Sequence, residues 1–428
     1  MVITKRGLVL GLTALAVTAV TVTGAGLHLS KGQAFFSDSP KELVDEVWQI
    51  VDRTYVDGTF NQVDWKAVRN EYLNRPYKNK EEAYESIKKM LEKLGDPYTR
   101  FMDPQAFKNM QIDTSGELFG VGLQLAADEK TKKLTVVAPI EDTPAATAGI
   151  LSKDIVTKID GKSTEGMDVN KAVTLIRGQV GTQVTLTIQR GNQQLEFALK
   201  RARIEIHPVK TTLQDGPTGK VGYIRLVQFS ANAPKEMKAA IEKLEQQQAT
   251  GYILDLRSNP GGLLYTSIEI ARMWLKEGAI VSTVNRQGEQ DRETANRRSL
   301  TDKPLVVLVD GGSASASEIL SGALQDNKRA TIVGIKTFGK GLVQSVRPLG
   351  DGSGLAVTIA KYLTPKGRDI NKQGIAPDVE SKLSDDQRQT LSKEREKIGT
   401  SADPQYTKAL EVLTQQIKAQ KPGTQPNS

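Results

Sequence analysis

Apolar residues recur along this chain first at helical and then at strand spacing, and the changes of spacing divide it. Leu43, Val44, Val47, Trp48 and Val51 fall at i, i+1, i+4, i+5 and i+8, one stripe on a helix. Ala83, Ile87, Met90, Leu91 and Leu94 form a second stripe over about Lys80 to Leu94, ended by the breaker Gly95-Asp96-Pro97. Residues 35–112 therefore read as an N-terminal helical region. Residues 113–202 change to short strands, turns and one or two short helices. Residues 203–384 alternate strand and helix: strands are expected at 221–229, 252–256 and 304–309, and helices at 233–247, 263–276 and 316–326. That alternation predicts an α/β core, in which chemistry gathers beyond the carboxyl ends of strands. Residues 385–428 hold a last helix, opened by Asp403-Pro404 as N-cap and first position. Its stripe of Tyr406, Leu410, Leu413 and Ile417 is expected to pack on the body or on a partner subunit. The polar Lys421–Ser428 end reads as disordered.

Ahead of these, residues 1–34 place Lys5 and Arg6 before an uncharged apolar run, Gly7–Leu29. A basic segment followed by an apolar one is an export signal, and this run is also long enough to stay as a membrane anchor. The 428 residues, 38% hydrophobic and 25% charged, exclude whole-chain disorder, collagen-like repetition and a polytopic membrane protein. The formal charge of +8 is dispersed rather than striped, so no nucleic-acid partner is expected.

The absences narrow the chemistry. The chain has no cysteine, which removes disulfides, thiolate catalysis and cysteine-based metal sites. It has two histidines, His28 and His207, the first inside the export segment, so a zinc site or a histidine triad would rest on His207 alone. No metal or cofactor is expected. Catalysis has to draw on Ser, Thr, Lys, Asp, Glu or Tyr.

Three strand-end segments carry such residues. In Asp310–Leu320 (DGGSASASEIL), small residues crowd a strand-to-helix turn that would present a serine hydroxyl outward. The serines there would equally serve as helix caps. In Ile335–Gln344 (IKTFGKGLVQ), Lys340 lies between two glycines after Phe338, a setting that permits close packing and desolvation. Desolvation disfavours the charged amine, and a neutral lysine can take the proton of a serine where no histidine is at hand. Gln344, at i+4, shares a face with Lys340 on a strand or a helix, and its amide oxygen would orient the amine. In Asp255–Gly262 (DLRSNPGG), a Pro-Gly turn exposes backbone N–H groups that would make half of an oxyanion hole, the Ala316 amide making the other half.

Two resemblances join these signals. The run from GELFGVGLQL (Gly116–Leu125) through TPAATAGILSKDIVTKIDG (Thr143–Gly161) to VNKAVTLIRG (Val169–Gly178) resembles a PDZ domain. With DLRSNPGG, GGSASASEI and KTFGKGLVQ behind it, the chain from about Leu43 to Lys382 resembles the tail-specific, carboxyl-terminal processing proteases of bacteria and chloroplasts. The resemblance implies a multidomain protein: a crotonase/ClpP-like α/β serine-protease core, an inserted PDZ domain and an N-terminal helical region. It makes Ser315 the nucleophile, Lys340 the base and Gln344 the third member, with oxyanion amides from Gly261 and Ala316. It implies cleavage near the C-terminus of protein or peptide substrates that end in free, apolar C-termini. Their carboxylate would be held by Gly120, Val121, Gly122 and Leu123. Arg177, before Gly178, would couple that capture to the active site. The expected setting is exported, a periplasm or thylakoid lumen, free or tethered through the N-terminus, and the chain is open to oligomerisation. The rivals are an exported PDZ adaptor without activity and a crotonase-like acyl-CoA enzyme.

Overall fold

The computed structural model of the chain describes residues 39–128, 131–140, 142–288 and 290–420. The N-terminal segment expected to direct export and the polar end from residue 421 lie outside the described residues. Among the described residues, no helix is long and apolar enough to cross a membrane.

The N-terminal stripes become helices α1 (Pro40–Thr54), α2 (Trp65–Leu73) and α3 (Lys80–Glu92). All five residues of the first stripe are buried. Trp48 and Trp65 stack with ring centroids 6.3 Å apart, and the Trp48 indole donates to the Trp65 carbonyl at 2.7 Å. Strand β1 (Arg100–Met102) and helix α4 (Pro104–Ser115) follow. The helical region does not bury its apolar faces alone, because Leu349, Leu355 and Val357 complete its core. Among the described residues, 39–114 and 207–420 accordingly form one compact unit, and Ser115–Ile206 form another.

The Ser115–Ile206 unit is built from β2 (Glu117–Gly120), β3 (Leu123–Ala127), β4 (Leu134–Pro139), α5 (Pro144–Thr147), β5 (Ile155–Ile159), β6 (Lys162–Ser163), α6 (Val169–Ile176), β7 (Gln183–Arg190), β8 (Gln193–Lys200) and β9 (Ala202–Glu205). Five of its strands pair in the order β3-β4-β5-β7-β8, β6 joins β5, and β2 pairs with β9. The fully buried Val156, Val184, Leu186 and Ile188 anchor its core. The Arg201 guanidinium is buried under the C-terminal end of α6, donating to the carbonyls of Leu175 and Ile176 at 2.9 and 2.8 Å, where the helix dipole favours a cation.

The remainder is the α/β core: β10 (Val209–Gly216), β11 (Gly219–Leu226), α7 (Ala233–Gln246), β12 (Gly251–Asp255), α8 (Leu264–Trp274), β13 (Ala279–Asn285), β14 (Gln290–Thr294), β15 (Leu305–Val309), α9 (Ala316–Asp326), β16 (Thr331–Gly334), β17 (Leu342–Pro348), β18 (Gly354–Leu363), β19 (Val379–Glu380), α10 (Asp385–Lys393) and α11 (Pro404–Gln420). Strands β10-β11-β12-β15-β16-β19 form one sheet, parallel except at β10–β11. Helices α7, α8 and α9 pack into the core on one face, and α11 lays Tyr406, Ala409, Leu413 and Ile417 on the other. Burial on both faces explains why β15 reads LVVLV with every residue buried. The tail stripe packs on the body, as one of the two sequence-based expectations had it. A second sheet, β1-β18-β13-β14 with β17 on β18, was not anticipated from sequence.

Beneath the end of β12 lies an ion cluster. Arg257 donates to Asp255 at 2.6 Å and to Asp403 at 2.7 Å, and all three residues are buried. Asp403 also caps α11, accepting from the Gln405 amide at 3.1 Å, so the cluster ties that helix to the strand leading into the Asn259-Pro260-Gly261 turn. Burial alone would raise the Asp255 carboxyl, but the Arg257 charge and the bonds from Arg257 and Tyr223 outweigh it and hold the group below its ordinary value. Its stabilising contribution is therefore present above the unfolded pKa and lost as pH falls through the folded one. Arg257→Met should leave two buried carboxylates without their cation, at a cost of about 3–5 kcal/mol. Thermal melts should show this variant losing stability as pH rises from about 5 to about 8, because one of the pair then has to give up a proton. A loss independent of pH would contradict the cluster's role.

Candidate active site

Two strand ends and the β16–β17 connection converge. The chain leaves β15 at Asp310 and enters α9 at Ala316 through a tight turn in which Ser315 has φ 54° and ψ −111°. This left-handed conformation costs a residue with a Cβ about 1–3 kcal/mol and persists only where its surroundings impose it. They do so here. The Ser313 hydroxyl donates to the Leu256 carbonyl at 2.8 Å, the Ala314 amide to Asn259 O at 3.1 Å and the Ser317 hydroxyl to Asn259 O at 2.9 Å. Ser313 and Ser317 are fully buried with hydroxyls spent on backbone carbonyls, whereas Ser315 is partly exposed. Of the three serines, Ser315 is thus the one whose side chain is not enclosed in the turn.

The neighbouring turn is pinned from the same side. Asn259 is fully buried; its side-chain nitrogen donates to Leu226 O at 2.8 Å and its oxygen accepts from the Gly261 amide at 2.9 Å. Gly261 has φ +104°, and a Cβ there would lie 2.7 Å from the Ala314 carbonyl oxygen and 3.0 Å from the Ala316 nitrogen. Only glycine fits. The two expected oxyanion donors are therefore adjacent, but they differ in state. The Ala316 N–H stands at the first position of α9, where no helical carbonyl can accept it, while the Gly261 N–H is engaged by Asn259.

Glu318, which sequence reasoning passed over, joins the turn to the lysine segment. Its side chain is fully buried. One oxygen accepts from the Ser315 amide at 2.9 Å and the Lys340 amide at 2.8 Å. The other accepts from the Gly339 amide at 2.7 Å and the Thr337 hydroxyl at 2.5 Å. The spacing Ser315-x-x-Glu318 is that of a capping box, the one sequence signal that points to this acid. Gly339 and Gly341 let the lysine segment lie against the 371–374 turn, since a Cβ on Gly341 would come within 2.6 Å of the Asn371 nitrogen.

Lys340 is half-buried. Burial pushes its amine below the usual lysine range and the Arg100 charge adds to this, while Asp96 and Glu318 oppose it. The ring against it differs from the one expected. Phe338, its neighbour in sequence, is 58% exposed, and the Lys340 ammonium nitrogen lies 4.7 Å from the Tyr98 ring centroid. Tyr362, fully enclosed, donates its hydroxyl to the Lys340 carbonyl. Gln344 is not brought onto Lys340. Its amide nitrogen reaches Thr358 Oγ1 at 3.5 Å, a long contact, and Thr358 in turn donates to Asp96 at 2.7 Å. The strand pairing explains this: the register between β17 and β18 shifts between Val343 and Gln344, so simple i+4 alternation does not carry across it.

In the other unit, the Gly120–Leu123 loop is held by its carbonyls. Val121 O accepts from the Ala145 amide and Gly122 O from the Ile140 amide, each at 2.9 Å. The Arg177 stem lies 3.8 Å from where a Cβ on Gly120 would stand, which sets Arg177 beside this loop.

Comparison with known proteins accords with this geometry. Residues 220–381 match Peptidase family S41, residues 135–190 a PDZ domain and residues 37–90 the Tricorn protease C1 domain. The chain is 49% identical over 384 residues to the carboxyl-terminal-processing protease of Synechocystis sp., covering 89% of this chain and 88% of that protein. It is 42% identical over 345 residues to carboxyl-terminal-processing peptidase 2, chloroplastic, of Arabidopsis thaliana, covering 78% of this chain and 67% of that protein. Among solved structures it is similar to the photosystem II D1 C-terminal processing protease, with TM-score 0.58 and 36% identity over 86% of this chain and 100% of that one.

Glu318→Gln should set an NH2 group against backbone N–H donors on one of the two carboxylate positions. Peptide hydrolysis should fall by about 100-fold or more, the scale of a 1 Å misplacement at a reacting centre. A steady-state assay, with circular dichroism to verify folding, checks this; activity within threefold of wild type would contradict the role given to Glu318.

Proposed function

The chain belongs to the carboxyl-terminal-processing serine peptidases of family S41, and from that premise we propose that Ser315 is its nucleophile and Lys340, as the neutral amine, its general base. Membership of a peptidase family sets aside the acyl-CoA enzyme and the inactive adaptor weighed from sequence. Protein or peptide chains are the substrates. The observation that carries the residue assignment is the Glu318 carboxylate, which binds the backbone of both residues and so ties the segment of the strained serine to that of the desolvated lysine.

In the proposed reaction, Ser315 Oγ attacks the scissile carbonyl carbon and its proton passes to Lys340 Nζ. The oxyanion is received by the Ala316 N–H and by the Gly261 N–H, the latter turning from Asn259 to the substrate. Each such donor is worth about 10²–10³-fold in rate. The Lys340 ammonium returns the proton to the leaving amine. Water then hydrolyses the acyl-enzyme with the same amine as base. Gln344 acts indirectly, through Thr358 and Asp96, on the surroundings of the lysine.

The PDZ domain takes the terminal carboxylate at the amides of Gly120–Leu123, with the Arg177 charge beside the loop, and the peptide adds as a strand along Leu123–Leu125. Arg177 is the residue that relays occupancy of this loop to cleavage. The basic and then apolar N-terminus supports work in an exported compartment, a periplasm or thylakoid lumen, with attachment to the membrane where the segment is retained.

Incubation with peptides ending in a free or an amidated apolar C-terminus, read by mass spectrometry, tests the whole reading. Wild type should cleave the free form by at least tenfold over the amidated one, and equal cleavage would overturn carboxylate capture. Lys340→Ala and Ser315→Ala should each abolish cleavage while keeping peptide affinity within about twofold. Because the neutral amine is the active form and burial lowers its pKa, kcat/KM should rise with pH and level off below the ordinary lysine range. A rate that falls across that interval would exclude the lysine base.

A further inference from the structure

Tyr98 has no part in the reaction as written, yet its ring is the aromatic surface against the base. The turn that carries it is tightly fixed. Asp96 accepts from the Tyr98 amide at 2.9 Å, the Thr99 hydroxyl at 2.6 Å and the Thr358 hydroxyl at 2.7 Å. The Thr358 amide donates back to Thr99 at 3.0 Å. Thr358 lies on β18, and the same strand carries Tyr362, which holds the Lys340 carbonyl. One strand thus positions both the ring and the lysine backbone. A ring face at 4.7 Å attracts an ammonium through its quadrupole and has no comparable hold on a neutral amine. Among the described residues, no hydrogen bond joins Lys340 Nζ to Ser315 Oγ.

We infer that Tyr98 is a positioning residue for the general base, its ring face seating the Lys340 ammonium away from Ser315 and releasing the side chain once it is neutral. The inference rests on Lys340 being the base. The seat couples proton loss to movement: the amine that leaves the ring is the form able to accept the serine proton. The charged and titratable groups facing Lys340 are Asp96, Tyr98 and Arg100 from the segment after α3, Glu318 from α9 and Tyr362 from β18. Lys372, on the turn against Gly339, is exposed. Of these, Tyr98 alone favours the ammonium without a charge of its own, so its effect can be separated from theirs by changing ring electronics at constant shape.

The test compares Tyr98→Phe, a trifluorinated phenylalanine at position 98 and Tyr98→Leu. The pH dependence of kcat/KM should coincide with wild type in Tyr98→Phe. Its acid limb should move to lower pH by about half a unit to one unit in Tyr98→Leu, the scale of a partly desolvated cation–π contact. The fluorinated ring, which folds as phenylalanine does, should move the limb in the same direction. A limb unmoved by fluorination and by leucine, or moved equally by phenylalanine, overturns the inference. Competitive acetylation of Lys340 in a Ser315→Ala background, read by mass spectrometry, follows the same proton without turnover and should show the same order of variants. If Lys340→Ala kept its activity, the base assignment would fall, while the acetylation series would still report whether the ring seats the amine.

Discussion

The carboxylate of Glu318 is the constraint on which the site depends. A fully buried carboxylate is expensive unless its lone pairs are met, and here they are met by three backbone amides and a hydroxyl drawn from two separate segments. The bonding is reciprocal. An apolar residue in that place would leave those amides unpaired, at about 1–3 kcal/mol for each buried group. The acid is therefore kept by what it satisfies, and what it satisfies is the backbone at Ser315, Gly339 and Lys340. Charge and geometry are supplied by one group, which also opposes the loss of the lysine's proton.

The strain at Ser315 is held by neighbours rather than by the helix it begins. Ser313, Asn259 and Ser317 bind carbonyls or amides across the two strand ends, so the serine-rich composition of the turn has a division of labour. Two hydroxyls act as mortar and one is left at the conformation that raises it out of the turn. Parallel strand pairing supplies the platform: β12 and β15 run side by side, which brings the ends of both to one edge where their loops can bond. A glycine at 261 is then required because the loops approach within contact of each other's backbone.

Much of this was legible in the sequence where one periodic signal governed an element. The helix from Ala316 and the strands 252–256 and 304–309 are found within a residue of the expected bounds, because their apolar runs face a core on both sides. The second sheet breaks the strand–helix rhythm, because β13 leads into β14 and β17 into β18 with no helix between them. Glu318 was visible as a capping-box acid but belongs to a node that spans to residue 340, and local spacing cannot show the far partners. Tyr98 and Tyr362 had no local mark at all. Adjacency in sequence points to Phe338 as the ring beside the lysine, whereas the ring found there is that of Tyr98.

That pairing also gives the helical N-terminal region a role in chemistry. Strand β1 pairs Arg100 with Ala356 of β18, and β18 pairs in turn with β17 just after Lys340. Arg100 and Asp96 are thus carried to the lysine by hydrogen-bonded registry rather than by loop placement, one disfavouring and the other favouring its charge. On the proposed reading, a base that is neutral yet returns a proton needs both signs nearby: desolvation and Arg100 disfavour the ammonium, and the two acids favour it. Among the described residues no histidine faces Lys340, so the balance is assembled from Arg100 and Asp96 of the N-terminal region and Glu318 of α9. The core shared between the N-terminal helices and β18 holds these groups against the residue proposed as base.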